Sequence, residues 1–198
     1  MPPRRLLGFL FAVLLLAGTC LANTTTYTVA LSGPAEAVPT PSPGVGAATL
    51  VYDDVLNDLM LTMSFSGLLG PTTASHIHAA TAIPFTGTAG VATRTPTFSG
   101  FPTGVTSGSY STTLDLDSLA SYNPAYVTAH GGTAASASVD LLAALNDGKA
   151  YLNIHTSSFP GGEIRGFIVR VPDACSTLVI LGAALSFFGL LARTHRRL

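Results

Sequence analysis

The side chains best suited to chemistry in this chain are histidines and one short acidic-basic pair. His76 and His78 stand in "ASHIHAA", and His155, Glu163 and Arg165 stand in "YLNIHTSSFPGGEIRG". His130 lies apart, in "TAHGGT". Imidazole nitrogens suit Zn and Cu. A His-x-His pair on a strand turns both rings to one face and sends Ile77 to the other. With a third imidazole from a neighbouring strand, His76, His78 and His155 make a Cu or Zn ligand set, and Glu163 is the candidate fourth ligand. The competing reading is structural: half-buried polar groups need partners, and such networks often fasten strands and turns together. Sequence leaves both readings open. If a metal binds, a structural or storage role is favoured over catalysis.

Alternation predicts how these residues are positioned. In "AYLNIH", Leu152 and Ile154 share a face, with Tyr151, Asn153 and His155 opposite. In "GEIRGFI", Ile164 and Ile168 share one face, and Glu163 and Arg165 the other. If these strands and "ASHIHAA" are neighbours over one core, their polar residues form a single cluster. Further strands are expected in "TYTVALSG", "GAATLVYDD", "VLNDLMLTMSFSG", "SGSYSTTLDLD" and "GEIRGFIVRV". One short helix is expected in "ASVDLLAALNDGK", with Val139, Leu142 and Leu145 on its apolar face and Gly148 ending it. "TPTFSGFPTG" reads as a loose connection. The expected fold is all-β, a sandwich or Greek-key barrel with one short helix.

Other chemistries lack their motifs. There is no Gly-x-Ser-x-Gly elbow, no His-Glu-x-x-His and no phosphate-binding loop. Asp53, Asp54, Asn57 and Asp58 lack the spacing of a calcium loop and read as a hairpin turn. Between Asn23 and Val171 four basic residues face nine acidic ones, which gives nucleic-acid binding no electrostatic footing. No disulfide is expected within this region, because the two cysteines are Cys20 and Cys175.

Both ends of the chain carry patterns of their own. Residues 1–22 read as a signal peptide, with Arg4 and Arg5 before an apolar run and Cys20-Leu21-Ala22 as the cleavage site. Thr177 to Ala192 is an uncharged apolar run of about 16 residues followed by Arg193, Arg196 and Arg197. It reads as a transmembrane helix with a cytoplasmic basic tail and the preceding domain outside. The expected division is therefore 1–22 signal peptide, 23–170 β domain and 171–198 membrane-directed segment.

Two resemblances sharpen this division. "VPDACSTLVILGAALSFFGLLARTHRRL" resembles the C-terminal sorting signals of the PEP-CTERM class, in the variant opening on Val171-Pro172-Asp173 (VPDSG-CTERM). Cys175 departs from the small residue usual there. The resemblance implies recognition by an exosortase-type enzyme and export to the envelope, outer surface or extracellular matrix of a Gram-negative bacterium. "SGPAEAVP", "ASHIHAA" and "YLNIHTSSFPGGEIRGFI" together resemble a CHRD domain over about Tyr27 to Val169. Ala79-Ala80 stand where that family usually has Gly-Pro. Asn153, Gly161, Gly162, Arg165 and Gly166 are its structural motif here. The family implies an extracellular β-rich fold and no established enzymatic activity. The histidines are also similar to the strand-borne ligands of copper-zinc superoxide dismutase, by analogy alone.

The function expected from these readings is a surface-anchored or matrix-released CHRD-domain protein with a non-enzymatic binding or structural role. The alternative is a histidine-based Cu or Zn metalloprotein, with redox chemistry as its extension. The expected partners are the sorting enzyme, the membrane through the C-terminal helix, and exopolysaccharide or matrix proteins.

Overall fold

The computed structural model describes residues 24–172. The segment 1–22 expected to be a signal peptide, Asp173, Cys175, the apolar run 177–192 and the basic residues after it lie outside the described residues. Among the described residues no helix is long and apolar enough to cross a membrane.

Within the described residues eight strands form one antiparallel sheet: β1 (Thr24–Ser32), β2 (Val45–Asp53), β3 (Asp58–Ser66), β4 (Thr72–His78), β5 (Gly108–Asp115), β6 (Tyr151–Thr156), β7 (Ile164–Phe167) and β8 (Val169–Arg170). Their pairing order is β4-β6-β7-β1-β2-β3-β5, with β8 also on β1, so the sheet is one continuous curled path. β2 and β3 form the expected hairpin. Asp53 accepts from the Val55 and Leu56 amides, and Asn57 takes a positive φ of 52°. Those are the turn chemistries of Asp and Asn.

Strict alternation builds the core. Tyr27, Val29 and Leu31 of β1 point inward, as do Leu59, Leu61, Met63 and Phe65 of β3 and Leu152 and Ile154 of β6. Two helices, α1 (Pro124–Ala129) and α2 (Ala134–Asn146), enter between β5 and β6. The expected helix is α2, but its buried stripe is Ala137, Leu141, Ala144 and Leu145, while Val139 is 67% exposed. Small alanines at i and i+7, Ala137 and Ala144, let the helix lie close beside Leu141, and this turns Val139 outward. "TPTFSGFPTG" is not a loose connection either. Phe98 and Phe101 are buried, Phe98 N–H donates to Ser75 O at 3.3 Å, and Tyr110 stands beside both rings. Just before it the chain runs along the free edge of β4. There the Ala92 amide donates to Ile77 O at 2.9 Å and the Ile77 amide to Thr93 Oγ1 at 3.0 Å. A strand edge needs such cover.

Candidate metal centre

The histidines meet because β6 lies between β4 and β7. Its register sets His76 opposite Asn153, His78 opposite Tyr151 and Ala74 opposite His155. On the other side Asn153 faces Arg165 and Tyr151 faces Phe167. Ile77, Leu152, Ile154 and Ile164 fill the core on the opposite face. His76, His78, Tyr151, Asn153, His155 and Arg165 therefore share one face, as the alternation predicts. The His76 ring centroid lies 5.3 Å from that of His155 and 5.9 Å from that of His78. One ring nitrogen from each of the three histidines lies within 4.8 Å of the others. Tetrahedral coordination at the usual Zn–N length needs about 3.3 Å between nitrogens, so modest side-chain movement suffices.

Each ring is held by a backbone carbonyl. His76 Nε2 lies 2.6 Å from Pro96 O, His78 Nδ1 2.9 Å from Ala89 O, and His155 Nδ1 2.8 Å from Pro160 O. A carbonyl oxygen accepts only, so each of these nitrogens carries the proton. In a neutral imidazole the other nitrogen is then a bare lone pair. Those other atoms, His76 Nδ1, His78 Nε2 and His155 Nε2, are buried and have no hydrogen-bond partner among the described residues. One nitrogen on a carbonyl and the other left for a metal is the usual state of a ligating histidine.

The surroundings keep the rings neutral. Burial lowers His76 to about 4; the Pro96 carbonyl pulls back, and nearby His155 and His78 lower it further. Burial likewise lowers His78 and His155. Protons therefore compete weakly for the lone pairs at neutral pH. His78 also stacks on Tyr151 at 4.7 Å, and the Tyr151 hydroxyl donates to the same Ala89 carbonyl at 3.2 Å.

Beyond the rings lies a buried pair that sequence reading did not include in the site. Glu36, from "SGPAEAVP", is 8% exposed and lies 3.9 Å from Arg165 Nε, at 6% exposed. Arg165 donates to Ala35 O and, at 3.1 Å, to Gly87 O, and it stands 4.8 Å over the Tyr151 ring. Burial pushes Glu36 up to about 7, against the Arg165 charge and hydrogen bonds from the Ala37 amide and Asn153. The available signal was the quoted segment itself, but its partner stands 129 positions along the chain.

Glu163 does not join the cluster, which corrects the expected fourth ligand. Its Oε1 accepts from Ser42 Oγ and the Leu69 amide, both at 2.5 Å. Its Oε2 accepts from Thr156 Oγ1 at 2.6 Å and the Gly70 amide at 3.2 Å. Burial would raise this carboxyl, but those four donors hold it below the ordinary value. Gly162, at φ 127°, breaks the alternation just before β7 and sends Glu163 inward beside Thr156. The glycine is also needed for space, since a Cβ there would lie 2.5 Å from Glu36 Oε1 and 2.7 Å from Asn153 Nδ2. Gly166 is required in the same way, because a Cβ would collide with the Ala30 carbonyl; Gly161 faces open space. His130 lies outside the site, closing α1 with its ring stacked on Tyr126 at 3.9 Å.

The fold and site together define an antiparallel β domain that buries a face of histidine, asparagine and arginine under its own loops. The family model of the CHRD domain matches residues 27–168, and the chain belongs to that family. No curated protein and no solved structure matches it.

Proposed function

We propose that this chain is an exported CHRD-domain protein whose domain holds one transition-metal ion, Cu or Zn, through His76, His78 and His155. One observation carries the reading. Among the described residues six buried side-chain polar atoms have no hydrogen-bond partner, and five of them belong to this one face: His76 Nδ1, His78 Nε2, His155 Nε2, Asn153 Oδ1 and Glu36 Oε1. Native proteins leave few such atoms, because each costs about 1–3 kcal/mol. Five together call for a ligand, and a cation answers the three bare nitrogens directly. His76 and His78 are 6% and 8% exposed, which favours holding a metal over turning over a substrate. The role is a binding or structural one, with the curled sheet read as a Greek-key barrel. Display at the envelope or in the matrix, through an exosortase acting at Val171-Pro172-Asp173 and with exopolysaccharide or matrix proteins as neighbours, rests on the sequence layout of both ends.

The test is metal content per chain, by mass spectrometry, of full-length protein beside a His76→Ala/His78→Ala/His155→Ala variant. Near-stoichiometric Cu or Zn in the first and none in the second is the expected result. Neither metal in either protein, after both have been supplied, returns the histidines to a strand-fastening role.

A further inference from the structure

The metal reading leaves a fourth coordination position, and the following rests on that reading. The geometry points to Asn153 as the fourth ligand, through Oδ1, with Glu36 and Arg165 as the pair that positions its amide.

Asn153 occupies the middle of the site, two residues before His155 on β6 and directly opposite His76. It is 2% exposed, and its Oδ1 is buried without a hydrogen-bond partner. Its two ends are distinguishable by their neighbours. Nδ2 lies on the side of Gly162 and Glu36 Oε1, where only an N–H end is tolerated beside a carboxylate. Oδ1 is the other end of the same amide, on the strand face shared with the histidines. His78 spends its ring proton on Ala89 O at 2.9 Å, so its Nε2 is a bare acceptor. Asn153 Oδ1, His78 Nε2, His76 Nδ1 and His155 Nε2 are then four buried acceptors on one strand face, none with a hydrogen-bond partner among the described residues. Bare acceptors gathered this way repel unless a cation lies among them. Amide oxygens are accepted ligands for divalent ions, though harder than imidazole.

The positioning pair explains why separated segments converge here. Arg165 is fixed by Ala35 O and Gly87 O and brings its charge to Glu36 at 3.9 Å. Glu36 Oε1 in turn lies beside the Asn153 amide nitrogen and thereby sets which end of that amide meets the rings. The ligand set is neutral, so a bound dication keeps its charge, and the nearest carboxylate is Glu36 rather than Glu163.

The test compares wild type with Asn153→Ala, Glu36→Gln and Asn153→Asp/Glu36→Gln, using Zn affinity by chelator competition and the visible spectrum of the Co(II) form. Asn153→Ala is expected to lose at least about tenfold in affinity, the range seen when even an outer partner of a metal site is removed, and to change the Co(II) bands. Asn153→Asp keeps an oxygen in place and, in the Glu36→Gln background that removes the facing carboxylate, is expected to bind at least as tightly as Glu36→Gln alone. Glu36→Gln should weaken binding less than Asn153→Ala and leave the bands in place. A wild-type affinity and spectrum in Asn153→Ala would overturn the assignment and leave the three-histidine site standing. Wild type that takes up neither Zn nor Co would sink both. Should Asn153→Ala fail to fold, a loss of binding in folded Asn153→Asp/Glu36→Gln relative to Glu36→Gln overturns the assignment on its own.

Discussion

One row of residues crosses this sheet from a buried imidazole to an open serine. Register carries it from His76 through Asn153, Arg165, Ser32 and Val45 to Ser66, all on the side away from the core. At the β4-β6-β7 end the row is buried; at the β2-β3 end Val45 is 55% exposed and Ser66 lies open. The parallel row Thr28-Thr49-Thr62-Ser111 is exposed throughout. Both regions obey the same alternation. They differ in cover, because the segments around Ala35, Gly87, Ala89 and Pro96 fold over one end and their carbonyls accept from its side chains. Short hydroxyls and alanines suit a solvated face. Histidine, asparagine and arginine under a lid are costly to bury, and that cost needs a compensating ligand or network.

The largest expected effect separates the metal face from the network behind it. Glu163→Ala would strand three buried donors, from Ser42, Thr156 and Gly70, and the half-buried Leu69 amide. The cost should be about 3–5 kcal/mol in denaturant unfolding, at the upper end for single substitutions. Metal stoichiometry of the folded fraction should be unchanged. A loss of metal from folded Glu163→Ala would bring Glu163 back as a ligand and blur the distinction between the two regions.

Acid should expose the same difference. The unfolded chain protonates its histidines near 6.5, whereas native His76 does so only near 4, and His78 and His155 are lowered too. The unfolded state thus binds more protons in that interval, so metal-free stability falls as the pH drops from 6.5 toward 4. Glu36 opposes this. Raised from 4.5 to about 7, it makes the native state hold more protons in its own window and adds stability as the pH falls. Three groups outweigh one in wild type. In the triple histidine variant the Glu36 slope leads, with the lowered Glu163 acting against it only as the pH nears 4.5, so thermal melts of the two metal-free proteins should trend in opposite directions between pH 6.5 and about 5. Parallel trends would mean that the rings are more hydrated than their burial implies.

Much of this was legible from the sequence, and for a local reason. Alternation in "AYLNIH" and "SHIH" needs no long-range information, so the shared polar face could be read directly once adjacency was granted. Three features escaped because each depends on a distant partner or an irregular backbone. Glu163 breaks the pattern because Gly162 takes a φ that alternation does not allow for. Glu36 reads as a surface acid beside a proline-rich stretch until Arg165 is brought to it. The carbonyls of Ala89, Pro96 and Pro160 that orient the rings are backbone atoms in loops, and side-chain identity says nothing about where they point.

The smallest effect tests the open end of the row. Thr49 sits in the middle of the hydroxyl face, between Thr28 and Thr62, and is exposed among the described residues. Thr49→Lys adds a charge that can reach water and loses only some strand preference, so unfolding should change by no more than about 0.5 kcal/mol, with metal content unaltered. The same lysine at Asn153 would bury a cation against Arg165 and should prevent folding. If Thr49→Lys instead cost more than about 1 kcal/mol in a concentration-dependent way, this face would be covered by a second copy in solution. The contrast would then lie between two covered faces, one closed by the chain's own loops and the other by its neighbour.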